Sequence, residues 1–167
     1  MKNVLLIDFG STYSTVSKAD NISQFAVALS PAQSASPCIP SVVSINRNHP
    51  DQILCGNGAK MQVGRSTVRI FEAFKMLLLE HNDELLRSRG YDAEYTPRKI
   101  TKLFLESILM SVLEREAEAG NSYDGFDTVY ICMPELWANP IKSEGGRRVL
   151  REILLQEINI PIKKVDV

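Results

Sequence analysis

A continuous apolar run that ends in a carboxylate and a glycine is the feature that most constrains how this chain folds. Residues 4–16 are VLLIDFGSTYSTV, so four apolar residues lead into Asp8, and Gly10 follows two positions later. Consecutive apolar residues before a glycine turn predict a buried strand that enters a tight hairpin. Asp8 is therefore expected at the end of this strand, where the backbone turns.

A carboxylate in such a turn needs a partner, because an unpaired buried charge is strongly destabilising. Gly10 allows the backbone to approach a ligand closely, and successive N–H groups in a turn can form a concave anion site. A carboxylate for a metal ion, beside the hydroxyls of Ser11, Thr12 and Tyr13 for phosphate, suits a Mg-nucleotide. The alternative is a hairpin turn in which Asp8 is satisfied by its own protein.

The composition limits the possible classes of protein. The chain has 167 residues, of which 44% are hydrophobic and 23% charged, and its net charge is −1. These values are typical of one globular domain or lobe with a sizeable core. No basic excess predicts binding to nucleic acid or to an anionic membrane. No apolar run reaches the roughly 20 residues of a membrane span, and no signal peptide is expected.

The cysteines predict a reducing compartment. Cys38, Cys55 and Cys132 are scattered and odd in number, which argues against a disulfide framework and favours a cytoplasmic protein. Cys132 lies within an apolar segment and is predicted to be a small buried hydrophobe. His49 and His81 are far apart in the sequence and no CxxC occurs, so a zinc site is not expected.

The order of the predicted elements indicates the fold class. Strands are predicted at residues 4–8, 13–19, 24–29, 42–45, 52–55, 127–133 and 162–167. Helices are predicted at residues 59–63, 71–79, 80–89, 97–120 and 143–158. The helix at 97–120 has the clearest signals, since Thr96 caps it, Pro97 takes its first position and Gly120 ends it. This order predicts a mixed α/β sheet, antiparallel at one side and parallel at the other.

Several segments, in order, resemble the Hsp70 family of the actin, hexokinase and Hsp70 superfamily. IDFGSTYSTV is similar to that family's phosphate loop, IDxGTT, and IPSVVSI is similar to its TPSxV segment. CGNGAKMQ resembles VGxxAK, and FEAFKMLL resembles the stretch that carries the family's ATPase lysine. TPRKITKLFLESIL resembles the PxxIxxxxLxxL helix, VYICMPELW the VITVPAYF strand, RRVLREI the RxAxxxA helix, and IPIKKVDV the strand before the NEP segment.

The resemblance implies a ribonuclease H-like, actin-like ATPase lobe with helices on both faces of a mixed sheet whose three N-terminal strands are antiparallel. Residues 1–30 and 97–167 would form its core, and residues 31–96 would form a small inserted subdomain. Only the first lobe of a two-lobed ATPase is matched. We therefore expect a second lobe and a peptide-binding domain outside this chain, which then is a piece of a longer gene or a truncated relative.

The resemblance also implies roles for individual residues. Asp8 would hold Mg²⁺ through water, and Lys75 would stabilise charge on the γ-phosphate of ATP and position the attacking water. Two residues would relay the nucleotide state to the peptide-binding domain: Pro134 and an arginine, either Arg147 or its neighbour Arg148. The loop that cradles the phosphates of ATP or ADP would consist of Gly10, Ser11, Thr12 and Tyr13, with Thr12 close to the transferred group.

Several alternatives stay open. Lys75 could be a solvated lysine on an otherwise apolar helix, and Arg147, Arg148 and Arg151 could form an ordinary exposed helix face. The loop also fits a sugar-kinase-like or activator-type ATPase, which the sequence beyond Val167 would distinguish. A non-catalytic interaction domain could retain the fold without hydrolysis. In the leading interpretation the partners are the nucleotide, the second lobe, client peptides and co-chaperones, and this lobe alone has no measurable turnover.

Overall fold

The computed structural model describes residues 3–19, 26–28, 37–132 and 140–167, within which two β-sheets and two long helices are the main elements. The strands are β1 Val4–Asp8, β2 Tyr13–Ala19, β3 Ala26–Ala28, β4 Ile39–Pro40, β5 Val43–Asn46, β6 Ile53–Cys55, β7 Val68–Phe71, β8 Thr128–Cys132 and β9 Val165–Asp166. The helices are α1 Asn57–Lys60, α2 Asp83–Ser88, α3 Pro97–Glu118 and α4 Pro140–Glu152, which continues into a π-helical turn, Ile153–Glu157.

The strand β1 lies at the centre of the larger sheet. The order is β3-β2-β1-β8-β9, and the short β4 also pairs with β2. β1 runs antiparallel to β2 and parallel to β8, which in turn is parallel to β9. The prediction of a mixed sheet, antiparallel at one side and parallel at the other, is therefore confirmed. The last strand is shorter than predicted, although Ile162 forms an isolated bridge to Phe126.

Only one face of this sheet is covered by the described helices. Side chains alternate along β1 and β8, so that Leu5, Ile7 and Val129 are buried while Tyr130 is 42% exposed. The inward residues form one hydrophobic core with α3 and with the end of α4. Among the described residues, no helix is seen to cover the face that carries Tyr130, so helices on both faces stay a prediction. An apolar run identifies a strand, but it does not reveal how many of its faces other elements cover.

The smaller sheet corrects the prediction of a helix at residues 71–79. Strands pair antiparallel in the order β6-β5-β7, and Phe71 is the last residue of β7. Residues 74–79 form turns instead of a regular helix. Phe71 packs against the rings of Tyr91 and Tyr95, at centroid distances of 5.4 and 5.7 Å. This contact extends the strand through a segment whose composition alone favours helix.

The helix α3 follows its sequence signals closely. Thr96 Oγ1 accepts a hydrogen bond from Lys99 N, and Pro97 occupies the first turn. Gly120, just beyond the helix, has a φ of 83°, which favours glycine over other residues. Eight residues of α3 are buried, so the helix packs into the core along most of its length: Pro97, Ile100, Thr101, Phe104, Leu105, Ile108, Leu109 and Val112.

The remaining helices differ from their predicted bounds. α2 begins at Asp83 because Asn82 accepts hydrogen bonds from the first free N–H groups, and Gly90 after it has a positive φ as expected. α4 changes to a π-helical turn where the sequence predicts one continuous helix. Arg98 of α3 bonds to both Glu152 and Glu157, which the wide turn brings to the same side chain.

Candidate functional site

The loop between β1 and β2 lies at the carboxyl end of β1. Asp8 is the last residue of β1 and is exposed, as are Ser11, Thr12 and Tyr13. Gly10 N donates to Asp8 O at 3.2 Å. A Cβ atom at Gly10 would lie 1.8 Å from Tyr13 O, so glycine is required here by the close approach of the chain to itself. The loop therefore folds back tightly and presents one carboxylate and three hydroxyl groups to solvent.

A buried serine fixes this loop. Ser41 Oγ donates to Gly10 O at 2.8 Å and lies 3.0 Å from Ser14 Oγ, and Ser41 N donates to Thr12 O at 2.9 Å. Sequence reasoning gave Ser41 no role, although it lies within the IPSVVSI segment. The sequence signal that could have identified Ser41 is its place between a proline and a buried strand, where a small hydroxyl residue can bond to nearby backbone. Its contacts connect β4 to the loop and hold the loop in one conformation.

Lys75 is buried, and the structure brings it to the same edge of the sheet. Its relative exposure is 4%, and its Nζ lies 4.8 Å from the centroid of the Phe9 ring. Burial lowers the pKa of Lys75 to about 8, while the nearby carboxylate of Asp8 acts in the opposite direction. In the described part of the chain, no hydrogen bond or ion pair involves this ammonium group. The alternative of a solvated lysine is therefore wrong.

A tight turn, and not a helix, places Lys75. Ala73 has a φ of 55°, a left-handed conformation that costs a non-glycine residue about 1–2 kcal/mol. The turn continues with a hydrogen bond from Met76 N to Ala73 O. Phe74 packs against the rings of Phe9 and Phe104, at 6.1 and 5.3 Å, and this contact holds the turn against β1. Lys75 follows Phe74 directly, so this packing places Lys75 near the carboxyl end of β1.

Cys132 completes the group of side chains at this edge. It is the last residue of β8 and is the register partner of Asp8 in the parallel pair. The thiol is exposed, so the prediction of a small buried hydrophobe is wrong. The physical reason is the alternation of β8, in which Cys132 shares the open face with Tyr130 while Ile131 points into the core.

An open cleft of about 280 Å³ lies beside the loop. Ser11, Thr12 and Tyr13 line one part of it, and Glu72 and Ala73 of the turn before Lys75 line another. Lys60 adds a second cation that sequence reasoning did not single out. Its Nζ donates to Tyr13 Oη at 3.1 Å and lies 5.3 Å from the centre of that ring. Lys60 could have been identified from its place in CGNGAKMQ, one of the segments that resemble the Hsp70 family.

The proposed relay residues lie elsewhere or outside the described residues. Arg147 is exposed on α4 and lines a separate groove with Arg148 and Arg151. This groove and the cleft beside the loop have no lining residue in common. Pro134 falls within residues 133–139, outside the part of the chain that the structure describes. Arg147 is therefore not part of the Asp8 and Lys75 site.

The side chains at this edge suit a phosphorylated ligand with a divalent ion. The exposed carboxylate of Asp8 is a hard oxygen ligand of the kind that Mg²⁺ binds, and Lys75 is a cation that forms no ion pair with any described residue. Within the described ranges, no group of three His, Cys, Asp or Glu side chains could hold a metal ion. An ion beside Asp8 therefore needs water and ligand oxygens to complete its coordination.

Comparison with protein-family models gives no match to this chain, and comparison with curated proteins gives none either. Among the helices that the structure describes, none combines the length and apolar character needed to cross a membrane. The fold and the site thus define a mixed α/β protein with a polar loop, a carboxylate and a buried cation at one edge of its main sheet.

Proposed function

We propose that this chain is the nucleotide-binding first lobe of an Hsp70-like ATPase with a ribonuclease H-like fold. The larger sheet supports the proposal, because three antiparallel strands are followed by two parallel ones in the order β3-β2-β1-β8-β9. The smaller sheet, β5 to β7, falls within residues 31–96, the range proposed for the inserted subdomain. The second support is that the segments resembling the Hsp70 family occur in the same order as in that family.

The observation that carries the proposal is the meeting of Asp8, the loop and Lys75. These residues are distant in the sequence, yet the charge of Asp8 acts on Lys75, and the turn before Lys75 shares a cleft with Ser11–Tyr13. A structural lysine is usually exposed or paired with a carboxylate. A buried ammonium group that forms no ion pair with the described residues, at the edge of the sheet where the loop hydroxyls are exposed, is instead suited to an anion that arrives from solution.

Each residue then has a defined role. Asp8 holds Mg²⁺ through water, and the N–H and hydroxyl groups of Gly10, Ser11, Thr12 and Tyr13 cradle the phosphates of ATP or ADP. Thr12 would be the residue of this loop closest to the transferred phosphoryl group. Lys75 stabilises the charge of the γ-phosphate and orients the attacking water, in a site where low solvent access strengthens the interaction. The ion, when bound, neutralises phosphate charge and orients the oxygens around it.

The proposal assigns hydrolysis to the two-lobed protein and not to this chain alone. A single lobe supplies one wall of a cleft, so much of the binding energy and water exclusion is missing. We therefore expect weak Mg-nucleotide binding and no measurable turnover. Client peptides and co-chaperones would act on the full-length protein, with Pro134 and Arg147 as its relay.

Titration with Mg-ADP, followed by amide chemical shifts, tests the proposal. We expect shifts at residues 10–14 and a loss of affinity of about tenfold in Lys75→Met, because one charge-assisted contact to phosphate is removed. Lys164→Met is the matched control, since Lys164 is an exposed lysine just before β9 and should leave the affinity unchanged. Shifts that cluster away from the loop, or equal effects of the two substitutions, would contradict the proposal.

A further inference from the structure

We propose that Lys60 and Tyr13 form a second phosphate subsite, so that the cleft beside the loop binds a linear chain of phosphates in preference to a single phosphate group. The ligand class is a di- or triphosphate, either inorganic or esterified to a nucleoside. Binding of a nucleoside phosphate in this subsite rests on the proposed function, whereas binding of an inorganic phosphate chain does not. Lys60 is then the residue that makes affinity depend on the length of the chain.

The ammonium group of Lys60 lies directly at the loop. Its Nζ donates a hydrogen bond to Tyr13 Oη at 3.1 Å and lies 5.3 Å from the centre of the tyrosine ring. Both residues line the open cleft of about 280 Å³, together with Ser11 and Thr12. One cation and three hydroxyl groups therefore border the same volume. All of these groups can donate hydrogen bonds to phosphate oxygens, and the bond from a cation is the strongest of them.

The charge of Lys60 is not neutralised within the described part of the chain. Lys60 is exposed, and its Nζ bonds there to the neutral phenol of Tyr13 and to no carboxylate. Glu72 lines the same cleft, yet it forms no ion pair with Lys60. A contact between an exposed cation and a ring stabilises a fold only weakly, so Lys60 can turn from the ring to a phosphate at little cost.

The short helix α1 fixes the position of Lys60 beside the loop. Ala59, the preceding residue, is completely buried. Gly56, just before the helix, has a φ of 62°, and a Cβ atom at this position would lie 2.9 Å from Ile39 Cγ2, so the start of the helix lies close against β4. β4 in turn pairs with β2 at Tyr13. The helix and the loop are therefore attached to the same short strand.

The two cations of the site occupy different positions around the loop. Lys60 lines the cleft, whereas Lys75 lies beside the ring of Phe9, before the loop begins, and does not line the cleft. A ligand that contacts both ammonium groups must therefore carry negative charge at more than one point. A linear di- or triphosphate meets this requirement, because each linked phosphate has its own anionic oxygens, and orthophosphate does not.

A second lysine and tyrosine pair, away from the cleft, provides a matched control. Lys99 Nζ lies 4.7 Å from the centre of the Tyr95 ring, and Lys99 is exposed, as Lys60 is. Neither Lys99 nor Tyr95 lines the cleft beside the loop. Lys99→Met thus removes the same charge and the same kind of ring contact as Lys60→Met but leaves the proposed subsite intact.

Titration of the 167-residue protein with inorganic phosphates, at constant ionic strength and in the presence of Mg²⁺, tests the subsite. The probes are tripolyphosphate, pyrophosphate and orthophosphate, followed by amide shifts of residues 10–14. We expect affinity to fall in that order, and Lys60→Met to bind tripolyphosphate about fivefold more weakly, the effect of one charge-assisted contact that stays open to solvent. Lys60→Arg should keep most of the affinity, and Lys99→Met should keep all of it.

Several outcomes would overturn the subsite. These are equal affinity for the three phosphates, no shifts with tripolyphosphate, equal effects of Lys60→Met and Lys99→Met, and a loss in Lys60→Arg as large as in Lys60→Met. The last result would mean that the lysine acts by its fit against Tyr13 and not by its charge. Urea unfolding of Lys60→Met and Lys99→Met should give similar midpoints, so a lower midpoint for Lys60→Met alone would also assign the residue a structural role.

A comparison of nucleotides shows whether the subsite serves the proposed function. Lys60→Met should weaken binding of Mg-ATP about fivefold more than binding of AMP, which has a single phosphate. If tripolyphosphate binds with the expected dependence on Lys60 but Mg-ADP causes no shifts, the proposed function fails and the subsite stands. If Mg-ADP binds with the expected dependence on Lys75 while Lys60→Met behaves like Lys99→Met, the subsite fails and the proposed function stands.

Discussion

At the scale of single residues, the unusual feature of this protein is an ammonium group placed where water is scarce. Lys75 is buried against the ring of Phe9, and its pKa falls to about 8. Burial of the charge outweighs the opposing attraction of Asp8, because that carboxylate is exposed and its field is screened by solvent. The residue is therefore kept at a cost to the stability of the folded state.

This cost predicts a dependence of stability on pH. Below about pH 8, Lys75 binds a proton in both the folded and the unfolded state, so the penalty is fully present. Between about pH 8 and 10.5 the folded state releases this proton while the unfolded state keeps it, so stability rises with pH. Urea unfolding across this range should show that the free energy of unfolding of the unsubstituted protein rises relative to that of Lys75→Met, by at most about 1.4 kcal/mol per pH unit. Parallel curves for the two proteins would contradict the lowered pKa.

At the scale of elements, the loop between β1 and β2 is held by its neighbours as much as by its own sequence. Ser41 bonds to Gly10 O, and Tyr13 O passes so close to Gly10 that no side chain can be accommodated. The turn at Ala73 is held in the same way, by the packing of Phe74 and by a hydrogen bond of 2.8 Å from Tyr91 Oη to Glu72 O. Two irregular segments are thus fixed by tertiary contacts.

The tight loop predicts opposite effects for two similar substitutions. Gly10→Ala should lower the free energy of unfolding by about 1–3 kcal/mol, because the new Cβ collides with backbone that cannot move away easily. Gly145→Ala, in α4, is the control: its Cβ would lie 3.8 Å from Leu79, an ordinary contact, and alanine favours helix by about 0.5–1 kcal/mol. Thermal or urea unfolding measures both. A neutral Gly10→Ala would show that the loop is less confined than its geometry indicates.

The contrast between the loop and the turn also shows how far sequence reasoning extends. The loop was predicted from a local pattern, since an apolar run, an acid and a glycine each have a direct structural consequence. The sequence predicts a helix around Ala73, because FEAFKMLL has helical composition. No local pattern in this segment indicates that Phe71 pairs in a sheet. The resemblance nevertheless identifies Lys75 as a site residue, although the predicted helix around it does not explain how its side chain reaches the loop.

At the scale of the whole molecule, the two sheets share one hydrophobic core. Val43, Ile45 and Phe71 of the smaller sheet belong to the same cluster as Leu5 and Phe104. The contacts of Phe74 with Phe9 and Phe104 join the two parts through a single group of rings. Residues 43–74, which carry the smaller sheet and the start of the turn, are therefore packed onto the same core as the larger sheet.

A shared core predicts cooperative unfolding. Amide signals of β5 and β7 should disappear at the same urea concentration as those of β1 and β8, with one midpoint for both sheets. Phe74→Leu, which thins the packing between the rings, should lower both midpoints together by a similar amount. Earlier loss of the smaller sheet in either protein would show that the two parts are only loosely coupled.

The sequence by itself determined the central strand, its hairpin partner, the helix after Thr96 and the residues of the polar loop. Each of these depends on local preferences, such as apolar runs, caps and glycines, which act over a few neighbouring positions. Only the tertiary structure decided that Tyr130 and Cys132 lie on an exposed face of the main sheet, that Cys132 lies beside Asp8, and that a strand and a turn replace the helix predicted around Lys75. These outcomes depend on pairing and packing between distant segments, whose free energy is larger than the local preferences and is not written in any single stretch of the chain.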